Sequence, residues 1–171
     1  LAPQYPIVEA TFKQASDVLG YDLWDLVQNG SAEDLGQTQR TQPALLTASV
    51  AIFRVWQEKF PELKPSVMAG HSLGEYSALV CAGVLDFQDA VKLVELRGNA
   101  MQQAVPAGTG AMFAIIGLEN DAIINACEQA AKETGEIVSA VNFNSPGQVV
   151  IAGTKTAATR AGELCKEAGA K

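Results

Sequence analysis

Five consecutive residues, Gly70-His71-Ser72-Leu73-Gly74, set a serine between two glycines that each stand two positions away. The chemistry open to that pattern is nucleophilic attack on an acyl group, provided the hydroxyl is held out from a sharp turn. The flanking composition predicts that turn. Residues 65–69, Pro65-Ser66-Val67-Met68-Ala69, read as a short buried strand set off by a proline, and residues 75–82 as a helix stopped at Gly83. Where strand and helix pass closely, side chains do not fit, which accounts for the glycines. A helix N-terminus then lies beneath Ser72, where its N–H groups and dipole favour negative charge. The backbone N–H of Leu73 is placed to donate to an oxyanion. The plainer alternative is a glycine-rich structural turn; the strand and helix on either side favour a nucleophile.

A serine nucleophile needs a general base, and the sequence holds one histidine, His71. Neighbouring side chains in a tight bend project in different directions, so His71 is expected to wall the pocket rather than take the Ser72 proton. The base is therefore expected outside this chain. Arg97 falls late in a helical stretch, with Leu93 and Met101 four residues to either side, hence on a largely apolar face. Two readings stand equal there: an arginine snorkelling near a helix C-terminus, or a bidentate clamp for a substrate carboxylate. Gln42, just before Pro43, reads first as a helix cap and second as a donor into a pocket. Asn142 and Asn144, two apart at a strand end, face one side before a turn, and local turn hydrogen bonding is the simpler account. Cys81, Cys127 and Cys165 are odd in number and widely spaced. They read as reduced thiols of a cytoplasmic protein, with no disulfide and no metal.

The elements that must position these residues follow from periodicity and breaks. Pro6 opens a helix carrying Val8, Phe12, Ala15 and Leu19, closed by Gly20, and Asp22 and Ser31 cap two short turns. Pro43, as a first helical residue, opens a long helix to Phe60, apolar enough to imply burial against a sheet or between layers. Asp86 caps a helix over 87–104. Residues 105–110 are turn-rich and divide the chain into lobes 1–107 and 108–171. The second lobe reads as strand 111–118, helix 121–134, strand 137–143, a turn at 145–147, strand 149–152 and helix 156–168. That order lacks only the last strand of a ferredoxin-like unit.

The 171 residues, 48% hydrophobic and 18% charged, describe a globular chain, and a net charge of −7 argues against nucleic acid or an anionic membrane as main partner. No apolar run approaches the roughly 20 residues of a membrane span, and no secretory leader is visible. The chain begins at Leu1 without methionine and stops at Lys171 where another element could start. It reads as a piece of a longer protein.

The segment from Gly70 to Ala78, Gly-His-Ser-Leu-Gly-Glu-Tyr-Ser-Ala, resembles the active-serine segment of the malonyl-CoA:acyl carrier protein transacylases, the acyltransferases of bacterial type II fatty acid synthesis. The likeness extends to Tyr5-Pro6-Ile7-Val8-Glu9, Gly20-Tyr21-Asp22-Leu23-Trp24, Thr41 to Ser49, Leu96-Arg97-Gly98 and Val141 to Gln148, in order and over nearly the whole chain. It implies an α/β fold: an α/β-hydrolase-like acyltransferase subdomain, incomplete here, with an inserted ferredoxin-like subdomain, also incomplete. It further implies malonyl transfer through a malonyl-Ser72 ester to the phosphopantetheine thiol of an acyl carrier protein. In that scheme Leu73 supplies an oxyanion N–H, Arg97 binds the free carboxylate and Met101 lines the acyl pocket. Gln42, His71, Asn142 and Asn144 border the site. No cofactor is implied, since the CoA thioester is a substrate, and the enzyme is expected as a monomer. Such enzymes also carry an N-terminal glutamine segment and a downstream catalytic histidine, and neither is present, so this chain alone is expected not to turn over. Lys155, Arg160 and Lys166 are candidates for docking an acidic carrier. The rival readings are a thioesterase with the same bend but water as acceptor, and a non-catalytic fragment that only docks a carrier.

Overall fold

A computed structural model describes residues 1–106 and 108–171, in two compact units, Leu1–Ala104 and Val105–Lys171. Ala107, where the first lobe was expected to end, lies outside the described residues.

The first unit is built on helix α4 (Thr38–Lys59), against which α1 (Ile7–Leu19), α3 (Ala32–Gly36), α5 (Leu73–Cys81) and α6 (Phe87–Ala104) pack, while α2 (Leu23–Asn29) rests on α1. The apolar spacing explains the arrangement. Val8, Phe12 and Ala15 on α1, Leu46, Val50 and Val55 on α4, and Ala90, Val91 and Val94 on α6 turn one stripe each toward a shared core. Leu23 and Leu46 are wholly buried, and burial of such a side chain is worth about 1.5–3 kcal/mol. The expected caps form: Asp22 accepts from the Asp25 N–H at 2.9 Å, Ser31 from Asp34 at 3.0 Å, and Asp86 from Gln88 at 2.8 Å.

Three expectations for this unit are corrected. Residues 65–69 form neither helix nor strand, and Val67 is 84% exposed. A strand is defined by its neighbour, and among the described residues of the first unit there is no strand to receive its backbone hydrogen bonds. Helix α4 starts at Thr38, not at Pro43. The N–H groups of Arg40 and Thr41 both turn back to the Gln37 carbonyl at 2.8 Å, so the helix is under way before the proline. Pro43 forgoes a backbone bond inside the helix but is fully buried, and that packing offsets the loss. Finally, α4 is covered on one side only: Leu45 and Ile52 remain more than half exposed.

The second unit is a three-stranded antiparallel sheet with two helices on one face. β1 (Gly110–Ile116) and β2 (Val138–Ser145) both pair with β3 (Gln148–Thr154), in the order β1-β3-β2. Helices α7 (Asn120–Thr134) and α8 (Lys155–Glu167) cover Ile115, Val149 and Ile151 with Ile123, Cys127 and an alanine stripe, Ala157, Ala158 and Ala161. Strand alternation sends Met112 and Ile116 to the opposite, exposed face. A two-residue turn, Pro146-Gly147, joins β2 to β3, with Gly147 at φ 74°. On the edge of β1 away from β3, Ile116 and Lys171 exchange two backbone bonds at 3.0 and 2.8 Å. Asn142 and Asn144 do not lie on one unbroken alternation, because β2 bulges between Phe143 and Ser145 with Asn144 in the extra position. Among the described residues no helix is long and apolar enough to cross a membrane.

Candidate functional site

Ser72 immediately precedes α5 with φ 55° and ψ −118°, and among the described residues it alone combines a side chain with positive φ. That conformation is sparsely populated and is held by what surrounds it. The Gly74 N–H returns to the His71 carbonyl at 2.9 Å and the Glu75 N–H to the Ser72 carbonyl at 3.2 Å, closing the bend. Gly70 is required by space: a Cβ there would collide with the Gly74 carbonyl. Gly74 is not required in that way, since a Cβ on it would meet nothing within 4 Å. The two glycines of the motif therefore do different jobs, and only the first is explained by close approach. The Ser72 side chain lies on an exposed surface, as does His71 beside it. The N–H of Leu73 is the first of α5, so Ser72 does stand at a helix N-terminus.

Arg97, on α6, reaches this bend. Its Nη2 donates to Ser72 Oγ at 3.1 Å and its Nη1 to Gln42 Oε1 at 2.6 Å. The guanidinium carbon lies 5.7 Å from the centre of the Tyr76 ring, one helical turn beyond Ser72. The arginine is thus turned toward the serine and partly shielded, not snorkelling to solvent. Gln42 is buried at 5% exposure and caps nothing; it sits inside α4, and its Nε2 donates to Met101 Sδ at 3.4 Å. The expected cap is corrected on that ground: the helix begins five residues earlier than that cap implies, so the amide is free to turn inward. Met101 is half exposed and touches the cluster through that thioether.

The close approach of α6 to α4 depends on Gly98. A Cβ there would stand 2.5 Å from Gln39 Cα and 2.7 Å from the Thr38 carbonyl oxygen. Leu96-Arg97-Gly98 is therefore one device: the glycine brings the helices together and the arginine beside it meets Gln42. The structural roles of Tyr76 and Gly98 were not assigned from the sequence. The signal was present, an aromatic four residues after the serine and a glycine directly after the arginine.

Asn142 and Asn144 belong to the second unit, where Asn144 Nδ2 donates to Gln148 Oε1 at 3.3 Å across the hairpin. This is the local turn bonding expected of it. Of the basic residues on α8, Arg160 is committed to acids of its own unit: Glu133 at 2.6 Å, Glu163 at 3.3 Å and Glu167 at 3.6 Å. Hydrogen bonding from Arg160 holds the Glu133 carboxyl below its ordinary range. Lys155 and Lys166, at the two ends of α8, remain the other cations of that surface. Burial pushes the thiols of Cys81 and Cys165 up, and that of Cys127, with Cys165 nearby, to about 11. These are inert thiols at neutral pH.

A serine on a kinked helix start with a guanidinium on its hydroxyl suits transfer of an acyl group that bears a negative charge. The chain is also similar to known proteins. The malonyl CoA-acyl carrier protein transacylase of Haemophilus influenzae is 79% identical over the 171 residues, which are 100% of this chain and 54% of that protein. The transacylase of Escherichia coli K12 is 67% identical with the same coverage, so the chain spans about half the length of the curated relatives it matches. Among solved structures, an acyl carrier protein S-malonyltransferase from Vibrio cholerae superposes with a TM-score of 0.94 at 72% identity, over 99% of this chain and 55% of that one. A malonyl-transacylase solved in complex with its type II PKS acyl-carrier protein gives 0.95 at 68% identity, over 99% and 54%. Residues 8–171 match the acyl transferase domain, and the chain belongs to that family.

Proposed function

We propose that this chain carries the nucleophile-bearing part of a malonyl-CoA:acyl carrier protein transacylase. The observation that carries the reading is the 3.1 Å contact between Arg97 Nη2 and Ser72 Oγ. Ser72 Oγ attacks the thioester carbonyl of malonyl-CoA, the C–S bond breaks and CoA leaves as its thiol. The result is a malonyl ester on Ser72. During attack the Leu73 N–H, at the start of α5, donates to the carbonyl oxygen as it gains charge. Arg97 exchanges its bond to Ser72 for the far carboxylate of the malonyl group, and Met101 lines the same pocket. The phosphopantetheine thiol of the carrier then attacks the ester and restores the hydroxyl.

The proton on Ser72 needs a base, and the resemblance assigns that role to a histidine beyond position 171. The chain alone is accordingly proposed not to turn over. His71, beside Ser72, is proposed to border the site, and no cofactor takes part. The helical first unit is read as part of an α/β-hydrolase-like lobe, and the β1-β3-β2 unit as a ferredoxin-like lobe lacking a strand. The protein is read as a cytoplasmic monomer.

The test is to load the complete gene product with malonyl-CoA and locate the ester by peptide mass. Carrier thiol is then added. The expected outcome is an ester on Ser72 that moves to the carrier faster than it hydrolyses. Hydrolysis unaffected by carrier would make the protein a thioesterase, and absence of any Ser72 ester would defeat the assignment.

A further inference from the structure

We propose that Gln42 is a positioning residue that sets the preference for malonyl over acetyl groups by fixing Arg97, and is not itself a donor to the substrate. The inference rests on the reading that Arg97 takes the substrate carboxylate. It starts from an amide with both ends occupied. Gln42 is 5% exposed, its Oε1 accepts from Arg97 Nη1 at 2.6 Å and its Nε2 donates to Met101 Sδ at 3.4 Å. A guanidinium has only donors, so the amide oxygen must face Arg97. The NH2 group is thereby turned to the Met101 thioether, a weak acceptor that leaves the orientation unopposed.

What this does to Arg97 follows from geometry. With Nη1 held by Gln42 and the face of the guanidinium flanked by the Tyr76 ring, Nη2 is the arm directed at Ser72. A carboxylate carried on a Ser72 ester meets that arm without a search through arginine rotamers, so the entropy of holding a long side chain is spent before substrate arrives. The neutral amide matters as much as its position. It bonds the guanidinium without cancelling the charge, which stays available to the substrate. A carboxylate at 42 would form a buried pair with Arg97 and compete for it.

The experiment compares Gln42→Leu, Gln42→Glu and Arg97→Ala in the complete gene product. It measures kcat and KM for acyl-Ser72 formation from malonyl-CoA and from acetyl-CoA, with thermal unfolding of each variant alongside. The malonyl-to-acetyl ratio of kcat/KM is expected to fall by roughly tenfold to a hundredfold in both Gln42 variants: in Gln42→Leu through loss of a bond to a charged group, and in Gln42→Glu because the new carboxylate competes with the substrate's for Arg97. Most of the fall should lie in the malonyl KM. Gln42→Glu, which keeps the shape of the side chain, holds the test open if Gln42→Leu does not fold. If both Gln42 variants lose the two substrates alike, or keep the ratio while Arg97→Ala changes it, Gln42 is only structural and the inference is overturned. If Arg97→Ala itself leaves the ratio unchanged, it is the carboxylate reading of Arg97 that fails.

Discussion

Arg97 gives Nη1 to Gln42 and Nη2 to Ser72; on the proposed reading, in which Ser72 is acylated, an acetyl group offers nothing to replace the second bond. An unpaired guanidinium in a partly buried site costs about 1–3 kcal/mol, which is enough to disfavour acetyl by tenfold or more. Arg97→Ala is therefore expected to lower kcat/KM for malonyl-CoA on the order of a hundredfold while narrowing or reversing the gap to acetyl-CoA, read from competition between the two thioesters. Arg97→Lys should recover only part of the loss, since an ammonium cannot hold Gln42 and a carboxylate in one plane. At this scale Ser72 was legible because its motif is local, and Arg97 was half legible. Periodicity put it on an apolar face but could not say whether the head group reached water or the serine. Gln42 was misplaced, because the position of Pro43 suggested a helix start that the chain makes five residues sooner.

The crossing of α4 and α6 at Gly98 is the element-scale feature on which the site depends. Gly98→Ala would press a methyl against Gln39 Cα and the Thr38 carbonyl, both main-chain atoms that cannot swing aside. Overpacking of this kind costs about 1–3 kcal/mol, and here it should also draw Arg97 away from Gln42. The expected result is a lower denaturation midpoint together with a raised malonyl KM. A variant that loses stability but keeps its KM would show that α6 can shift without moving the guanidinium. Apart from the start of α4, the helices and their caps were readable from the sequence because helix bonding is internal to each segment. The segment 65–69 was not, because a strand exists only through a partner, and a run of apolar residues carries no record of whether that partner is at hand.

For the whole molecule, each compact unit carries its own core, and the division near residue 105 follows the turn-rich stretch that marks it. The core of the second unit holds a thiol, Cys127, raised to about 11 from an ordinary 9.0 by burial and by Cys165. The sign of the linkage is fixed by that shift. The thiol is neutral when folded, so its contribution is complete below about 9, and as pH climbs from there toward about 11 the unfolded chain gives up its proton first and stability is lost. Denaturant melts between pH 8 and 11 should show this decline, and Cys127→Ala should flatten it. An alkylating reagent at neutral pH is expected to reach Cys127 only as fast as the second unit opens.

The bend at Ser72 has a consequence for the thermal behaviour of the protein. Its φ of 55° and ψ of −118° suit glycine far better than any residue with a side chain, at a difference of about 1–3 kcal/mol, of which glycine's greater freedom when unfolded takes back roughly 0.5–1. Ser72→Gly should consequently melt at a higher temperature than the natural protein while forming no ester. On the proposed reading, heat resistance forgone at this one position is the cost of presenting a reactive hydroxyl.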